Sequence, residues 1–131
     1  MTLDMKQNLV EKIVQEHLAE ESPAQSVTSG DYVAVRPRHV MTHDNSSAVM
    51  AKFVALGAGQ IHDSHQPVFT LDHNVQDLSE ENQAKYASIE NFAKKHSIDF
   101  HPAGRGIGHQ VMVEEGYAWP GSLVVASDSH S

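Results

Sequence analysis

The chain has 131 residues, 9 basic against 17 acidic, and a formal charge of −8 with its 10 histidines neutral. That is one domain's worth of protein, 40% hydrophobic and able to bury a core, which excludes a disordered or collagen-like polymer. The acidic balance excludes a nucleic-acid partner, and zero cysteines exclude a disulfide, a thiol nucleophile and a thiolate-held iron–sulfur cluster within these residues.

Taken in chain order, Leu9, Val10, Ile13, Val14, His17 and Leu18 predict an amphipathic helix over residues 4–20, capped by Thr2 or Asp4 and packed by one face on a sheet. Asp4, Glu11 and Glu16 stand where a targeting peptide would be basic, and no apolar run approaches the roughly 20 residues that span a bilayer, so neither a transit peptide nor a membrane partner is expected. Ser22-Pro23-Ala24-Gln25-Ser26 and Thr28-Ser29-Gly30-Asp31 have loop composition. Tyr32-Val33-Ala34-Val35 predicts a short strand stopped by Pro37, and Val49, Met50, Phe53 and Val54 predict a helix ended by Gly57 and Gly59.

Pro67-Val68-Phe69-Thr70-Leu71 is continuous and apolar, as in a strand covered on both faces. Ser79 with Glu80 and Glu81 starts a helix that ends at Lys94-Lys95, where cations suit the helix dipole. A strand at Ile98-Asp99-Phe100, a glycine loop at 104–108, a helix from His109 to Glu115 and a strand at Leu123-Val124-Val125-Ala126 complete the pattern. The alternation predicts one α/β domain over residues 1–131, three layers in α/β/α order around a mainly parallel sheet.

Open α/β sheets build sites past the carboxyl ends of their strands. Asp72-His73 and Asp128-Ser129-His130 occupy that position, each placing a carboxylate beside an imidazole, a pairing able to hold a proton near neutral pH. Neighbours on an extended chain point to opposite sides, so the pairing of these groups, with His109 between them, stays open. A single Asp-His dipeptide is more often a polar loop than a site; two at strand ends, with His109 between them, bring the two readings level. His43-Asp44-Asn45-Ser46, before a helical pattern, reads first as a helix N-cap.

Gly104, Gly106 and Gly108 could bring amides to an anion or simply meet unusual dihedrals; they match neither a dinucleotide fingerprint nor a phosphate loop. The pairs His39/His43 and His62/His65 fall by a proline and in a loop, so no metal site is expected within this chain. His17 and His96 read as helix-surface residues without a special role. Ser129 lacks the glycine-flanked turn of a serine nucleophile.

Thr42-His43-Asp44-Asn45-Ser46, Leu71-Asp72-His73-Asn74-Val75-Gln76, Pro102-Ala103-Gly104-Arg105-Gly106-Ile107-Gly108-His109-Gln110 and Asp128-Ser129-His130-Ser131 together resemble, in order and spacing, the aconitase superfamily. The resemblance runs across nearly the whole chain and is to the amino-terminal domain alone. Glu114-Glu115-Gly116-Tyr117-Ala118-Trp119-Pro120-Gly121 is most similar to the branch of hydro-lyases in the α-aminoadipate route to lysine, particularly the fungal form. His43 stands where true aconitases carry glutamine, a departure that favours this branch or the isopropylmalate isomerases.

The resemblance implies a hydro-lyase of cis-homoaconitate and homoisocitrate, a small tricarboxylate substrate and, for a fungal member, a mitochondrial matrix location; otherwise the cytoplasm. Longer members carry a 4Fe–4S cluster on downstream cysteines and a swivelling domain that supplies the base. No cluster is expected on this cysteine-free chain, and alone it is expected to be inactive. By motif His73 resembles the acid that protonates the departing hydroxyl, with Asp72 beside it. His109 and Asp128 resemble a second pair lining the site, His130 the histidine near the iron-bound water, and His43 and Ser129 substrate-binding groups. The partners implied are the remaining domains of the enzyme, and self-association of the short chain around its last strand. The other readings are an aconitase or isopropylmalate isomerase domain, or a non-catalytic binding module.

Overall fold

A computed structural model describes residues 6–22 and 26–130. Thr2 and Asp4, the loop residues 23–25 and Ser131 lie outside them.

The first helix, α1 (Leu9–Glu16), starts later and ends earlier than the periodicity predicts. Asn8 stops it: its side chain accepts the Glu11 N–H at 2.9 Å while the Glu11 carboxylate accepts the Asn8 N–H at 2.8 Å. This reciprocal cap satisfies two N-terminal donors and fixes the start. The helix does not pack on the sheet. None of its residues is buried, and Leu9 and Val10 are largely exposed. It leans instead on the following loop, where Gln15 accepts the Val27 N–H and Glu11 accepts the Ser29 N–H. His17 is not an idle surface residue, because its ring bonds the Ile13 carbonyl and accepts the Leu123 N–H. His96 likewise packs against Phe92 and Phe53, with ring centroids 4.3 and 5.3 Å away.

The strand expected at Tyr32–Val35 is absent. Tyr32 is fully exposed, and the run forms only a bridge between Leu18 and Val35. Propensity alone does not make a strand without a partner to pair with. The sheet begins after Pro37, with β1 (His39–Thr42), followed by α2 (Ser46–Ala55), β2 (Pro67–Thr70), α3 (Glu80–His96), β3 (Asp99–His101), α4 (Gly108–Glu114) and β4 (Val124–Ala126). Ser79 caps α3 by accepting the Asn82 N–H, as its sequence predicts.

All four strands are parallel, in the order β3-β2-β1-β4. The chain steps one way from β1 through β2 to β3, then returns over the sheet to place β4 on the far side of β1. Right-handed crossovers put the helices of such opposite steps on opposite faces. Two core clusters match: Phe69 and Leu71 pack with Tyr86, Ile89 and Ala93 of α3, and Met41 and Val68 pack with Met112 of α4. Val68 and Phe69 are neighbours that alternate between the two clusters, which is why both faces of β2 are covered. The fold is therefore α/β with helices on both faces. No helix among the described residues is long and apolar enough to cross a membrane.

The reversal of strand order between β1 and β4 opens a crevice at their carboxyl ends, where an open α/β sheet places a site. The register Thr42↔Phe69 and Met41↔Ala126 brings the ends of β1, β2 and β4 to one edge.

Candidate active site

Four loops meet at that edge: residues 43–45 after β1, 71–74 after β2, 102–107 before α4 and 127–130 after β4. An open cleft of about 620 Å³ at this edge is lined by Asp72, His73, Ile107, His109, Asp128 and His130. Asn45 and Ser127 tie the first loop to the last, the Ser127 hydroxyl donating to the Asn45 side-chain oxygen at 3.1 Å.

The centre of the arrangement is Asp72, whose side chain is 7% exposed. One oxygen lies 2.6 Å from His73 Nδ1, and the other accepts the Gly108 N–H at 2.6 Å. The hydrogen bond that His73 donates to Asp72, opposed by partial desolvation and aided by the charges of Asp72, Asp128 and Asp44, raises the His73 pKa above its ordinary 6.5. The bond engages Nδ1, which leaves Nε2 as the nitrogen able to exchange a proton with a ligand.

Gly108 explains part of the glycine loop. A Cβ there would lie 2.6 Å from Thr70 Oγ1 and 2.9 Å from both Asp72 Oδ2 and Met41 Sδ, so close approach requires glycine. Gly104 and Gly106 instead carry positive φ angles of 89° and 145°. The anion that meets this loop's amide belongs to the protein itself.

Around Asp128 the pairing is looser. Its carboxylate lies 3.4 Å from His130 Nδ1 and 3.9 Å from His109 Nδ1, the second distance beyond a direct hydrogen bond. Burial works to raise the Asp128 pKa, but the backbone N–H groups of Ser129 and His130 and the His130 ring outweigh it and lower it. His109 Nε2 is buried without a hydrogen-bond partner among the described residues. His130 is mostly exposed at the rim. Ser129 is not among the cleft residues; its hydroxyl turns back to Asp128 at 3.3 Å.

His43 stacks on His73, the ring centroids 3.9 Å apart and the planes 18° from parallel. Within His43-Asp44-Asn45-Ser46 the N-cap of α2 is Asn45, as the segment predicts, though without a side-chain cap bond, and the neighbouring Asp44 caps no helix. Asp44 is buried, 3% exposed, and points across to the 72–74 loop. It accepts the N–H groups of Asp72, His73 and Asn74 at 3.0, 3.1 and 2.9 Å and the Tyr86 hydroxyl at 2.5 Å. Burial alone would raise its pKa; Tyr86 and the three amides overcome that and lower it below 3.8. The same contact helps push the Tyr86 hydroxyl, first through burial, up to about 12.

Sequence reasoning missed Asp44, Tyr86 and the close contact at Gly108. The signal available was an acidic residue immediately before a helix that already had Asn45 and Ser46 as cap candidates.

His43, Asp44, Asp72 and His73 also bring potential metal ligands within 4.8 Å of one another. Their bonding is that of an internal network. Asp44 already takes four donors, Asp72 takes two, and the stacked rings do not converge on one point. Nor does this donor set of imidazoles and carboxylates, in a chain with no cysteine, fit a thiolate-held iron–sulfur cluster.

Comparison with known proteins gives this geometry its context. The chain is 58% identical over 130 residues to a mitochondrial homoaconitase of Cryptococcus neoformans, covering 99% of this chain and 18% of that protein. It is 61% identical over 125 residues to the mitochondrial homoaconitase of Neurospora crassa, covering 95% and 16%. With that of Candida glabrata the identity is 60% over 129 residues, covering 98% and 19%. The chain thus spans less than a fifth of the length of these relatives. Residues 11–131 match the model of the aconitase family (aconitate hydratase), a span that includes every strand and every cleft residue described above, and the chain belongs to that family.

Proposed function

We propose that this domain forms the proton-donating wall of a homoaconitate hydratase, a hydro-lyase that interconverts cis-homoaconitate and homoisocitrate. The observation that carries the reading is the Asp72–His73 pair, bonded at 2.6 Å and facing a cleft shared with His109, Asp128 and His130. The names of the relatives supply the substrate class and the mitochondrial location that go with it.

Removing water across a carbon–carbon bond breaks one C–O and one C–H bond and forms a double bond, the C–H proton passing to a base supplied by the rest of the enzyme. The departing hydroxyl needs a proton to leave as water. Imidazolium His73, held through Nδ1 by Asp72, gives that proton from Nε2 and becomes neutral; hydration returns it. A raised His73 pKa keeps the imidazolium populated near neutral pH. Asp128 lies between His109 and His130 and adds a carboxylate charge to the same space, 3.9 and 3.4 Å from their Nδ1 atoms. His43 covers one face of the His73 ring, and Ser129, whose hydroxyl donates to Asp128, is assigned to a substrate carboxylate by the family resemblance alone.

No lysine or arginine is among the described residues that line the cleft, and Arg105 is engaged with Glu114 and Glu115. A tricarboxylate therefore takes its charge partners from the rest of the enzyme.

The test is His73→Gln in the longer enzyme that contains this domain. We expect kcat to fall by about 10²-fold or more with a smaller change in KM, the scale of losing a general acid. His62→Gln, on an exposed loop remote from the cleft, should leave turnover unchanged. Near-normal turnover by a folded His73→Gln enzyme would remove His73 from the acid role.

A further inference from the structure

We infer that Asp44 is a positioning residue for the His73 acid: its buried carboxylate folds the 72–74 loop so that Asp72 and His73, which an extended strand would point apart, lie side by side.

The inference rests on the reading of His73 as the proton donor and adds what sets its geometry. Asp72 and His73 follow β2 directly, and continued extension would send their side chains to opposite faces of the sheet. Three consecutive N–H groups, those of Asp72, His73 and Asn74, converge instead on the two oxygens of Asp44. Successive amides aimed at one anion curl the backbone around it. The curl brings Asp72 Oδ1 within 2.6 Å of His73 Nδ1.

A buried carboxylate is costly unless its lone pairs are used, and here all the donors come from the loop and from α3. Asp44 caps no helix, so capping does not account for its charge. Tyr86 grips Asp44 from behind, and Asn82, also on α3, donates to the carbonyls of Asn74 and Asp77. Tyr86, Ile89 and Ala93 anchor α3 in the core. The orientation of the acid is thereby referred to the packed interior rather than to a surface loop, as a preorganised proton donor requires.

The charged and titratable groups around His73 are Asp72 at its Nδ1, His43 stacked on its face, and Asp44 and Asp128 as neighbouring carboxylates. The experiment follows the two ring nitrogens of His73 by nitrogen NMR across a pH series in this chain, in wild type, Asp44→Asn and Tyr86→Phe. In wild type the neutral ring should hold its proton at Nδ1.

In folded Asp44→Asn the two tautomers should mix and the His73 midpoint should fall by about one pH unit, the scale of a lost carboxylate hydrogen bond. The exposed His62, in the same sample, should keep its curve. Should Asp44→Asn fail to fold, Tyr86→Phe decides, since it keeps the carboxylate and removes one donor of four; its His73 curve should move the same way by a smaller amount. An unchanged tautomer and midpoint in folded Asp44→Asn, or a superimposable Tyr86→Phe curve where that variant is the one that folds, would overturn the inference. None of these readouts includes turnover, so failure of His73 as the acid is recognised separately, by the kinetics of His73→Gln.

Discussion

The backbone N–H of Gly108 donates to Asp72 at 2.6 Å, at the point where a single added methyl group would meet Thr70, Asp72 and Met41 at once. The helix that carries His109 therefore starts against the carboxylate that holds His73. Two sides of the cleft are keyed to one another through an atom that glycine lacks.

Gly108→Ala should accordingly destabilise the domain by about 1–3 kcal/mol, the range for overpacking a well-filled interior. Thr70 and Asp72 are held by bonds of their own and cannot yield freely. Urea unfolding monitored by circular dichroism measures the loss. Gly104→Ala, where a Cβ meets nothing within 4 Å but φ is +89°, separates backbone strain from crowding.

The pH dependence of stability should have two wings. Asp44 has a folded pKa below its ordinary 3.8, so its contribution is present above that value and is lost as pH falls through the folded one. His73 has a folded pKa above 6.5, so its contribution is complete below 6.5 and is lost as pH rises through the folded one. Urea midpoints over a pH series should show the acid wing reduced in Asp44→Asn and the alkaline wing reduced in His73→Gln. The acid wing should not vanish, because Asp128 and Asp77 are lowered as well. An Asp44→Asn protein with the wild-type slope below pH 4 would exclude Asp44 as a contributor.

His109 should display a trade of stability for function. Its Nε2 is buried with no hydrogen-bond partner among the described residues, a burden of the order of 1–3 kcal/mol. His109→Leu removes the orphaned nitrogen and keeps the ring's apolar contacts with its surroundings in part. We expect unfolding free energy to stay level or rise by about 1 kcal/mol, while activity of the longer enzyme falls. A loss of several kcal/mol would show that the imidazole is bonded in solution.

Anaerobic incubation of this chain with iron and sulfide should leave no stoichiometric cluster. The reason is chemical: 10 histidines and no cysteine provide no thiolate. A brown protein-bound chromophore that survives gel filtration would contradict it.

Local sequence determined the elements whose burial pattern and caps agree. In α3, Ser79 at the start, Glu80 and Glu81 in the first turn and Lys94 and Lys95 in the last all point to one helix, and its buried Tyr86, Ile89 and Ala93 keep helical spacing. In β2, the adjacent apolar Val68 and Phe69 follow from helices on both faces. The motifs at the strand ends likewise carry the resemblance to the aconitase family, which the family match over residues 11–131 bears out. Tertiary structure decided the rest. Tyr32–Val35 has the composition of a strand but pairs only through the single Leu18–Val35 bridge, whereas His39–Thr42 lies between β2 and β4. Which aspartate serves which histidine depended on a carboxylate 28 to 30 residues earlier in the chain and on a tyrosine 42 residues beyond that carboxylate. Periodicity reports what a segment buries against whatever covers it. It carries no record of which distant donor a buried carboxylate will meet, because packing of the whole sheet and its helices sets that distance.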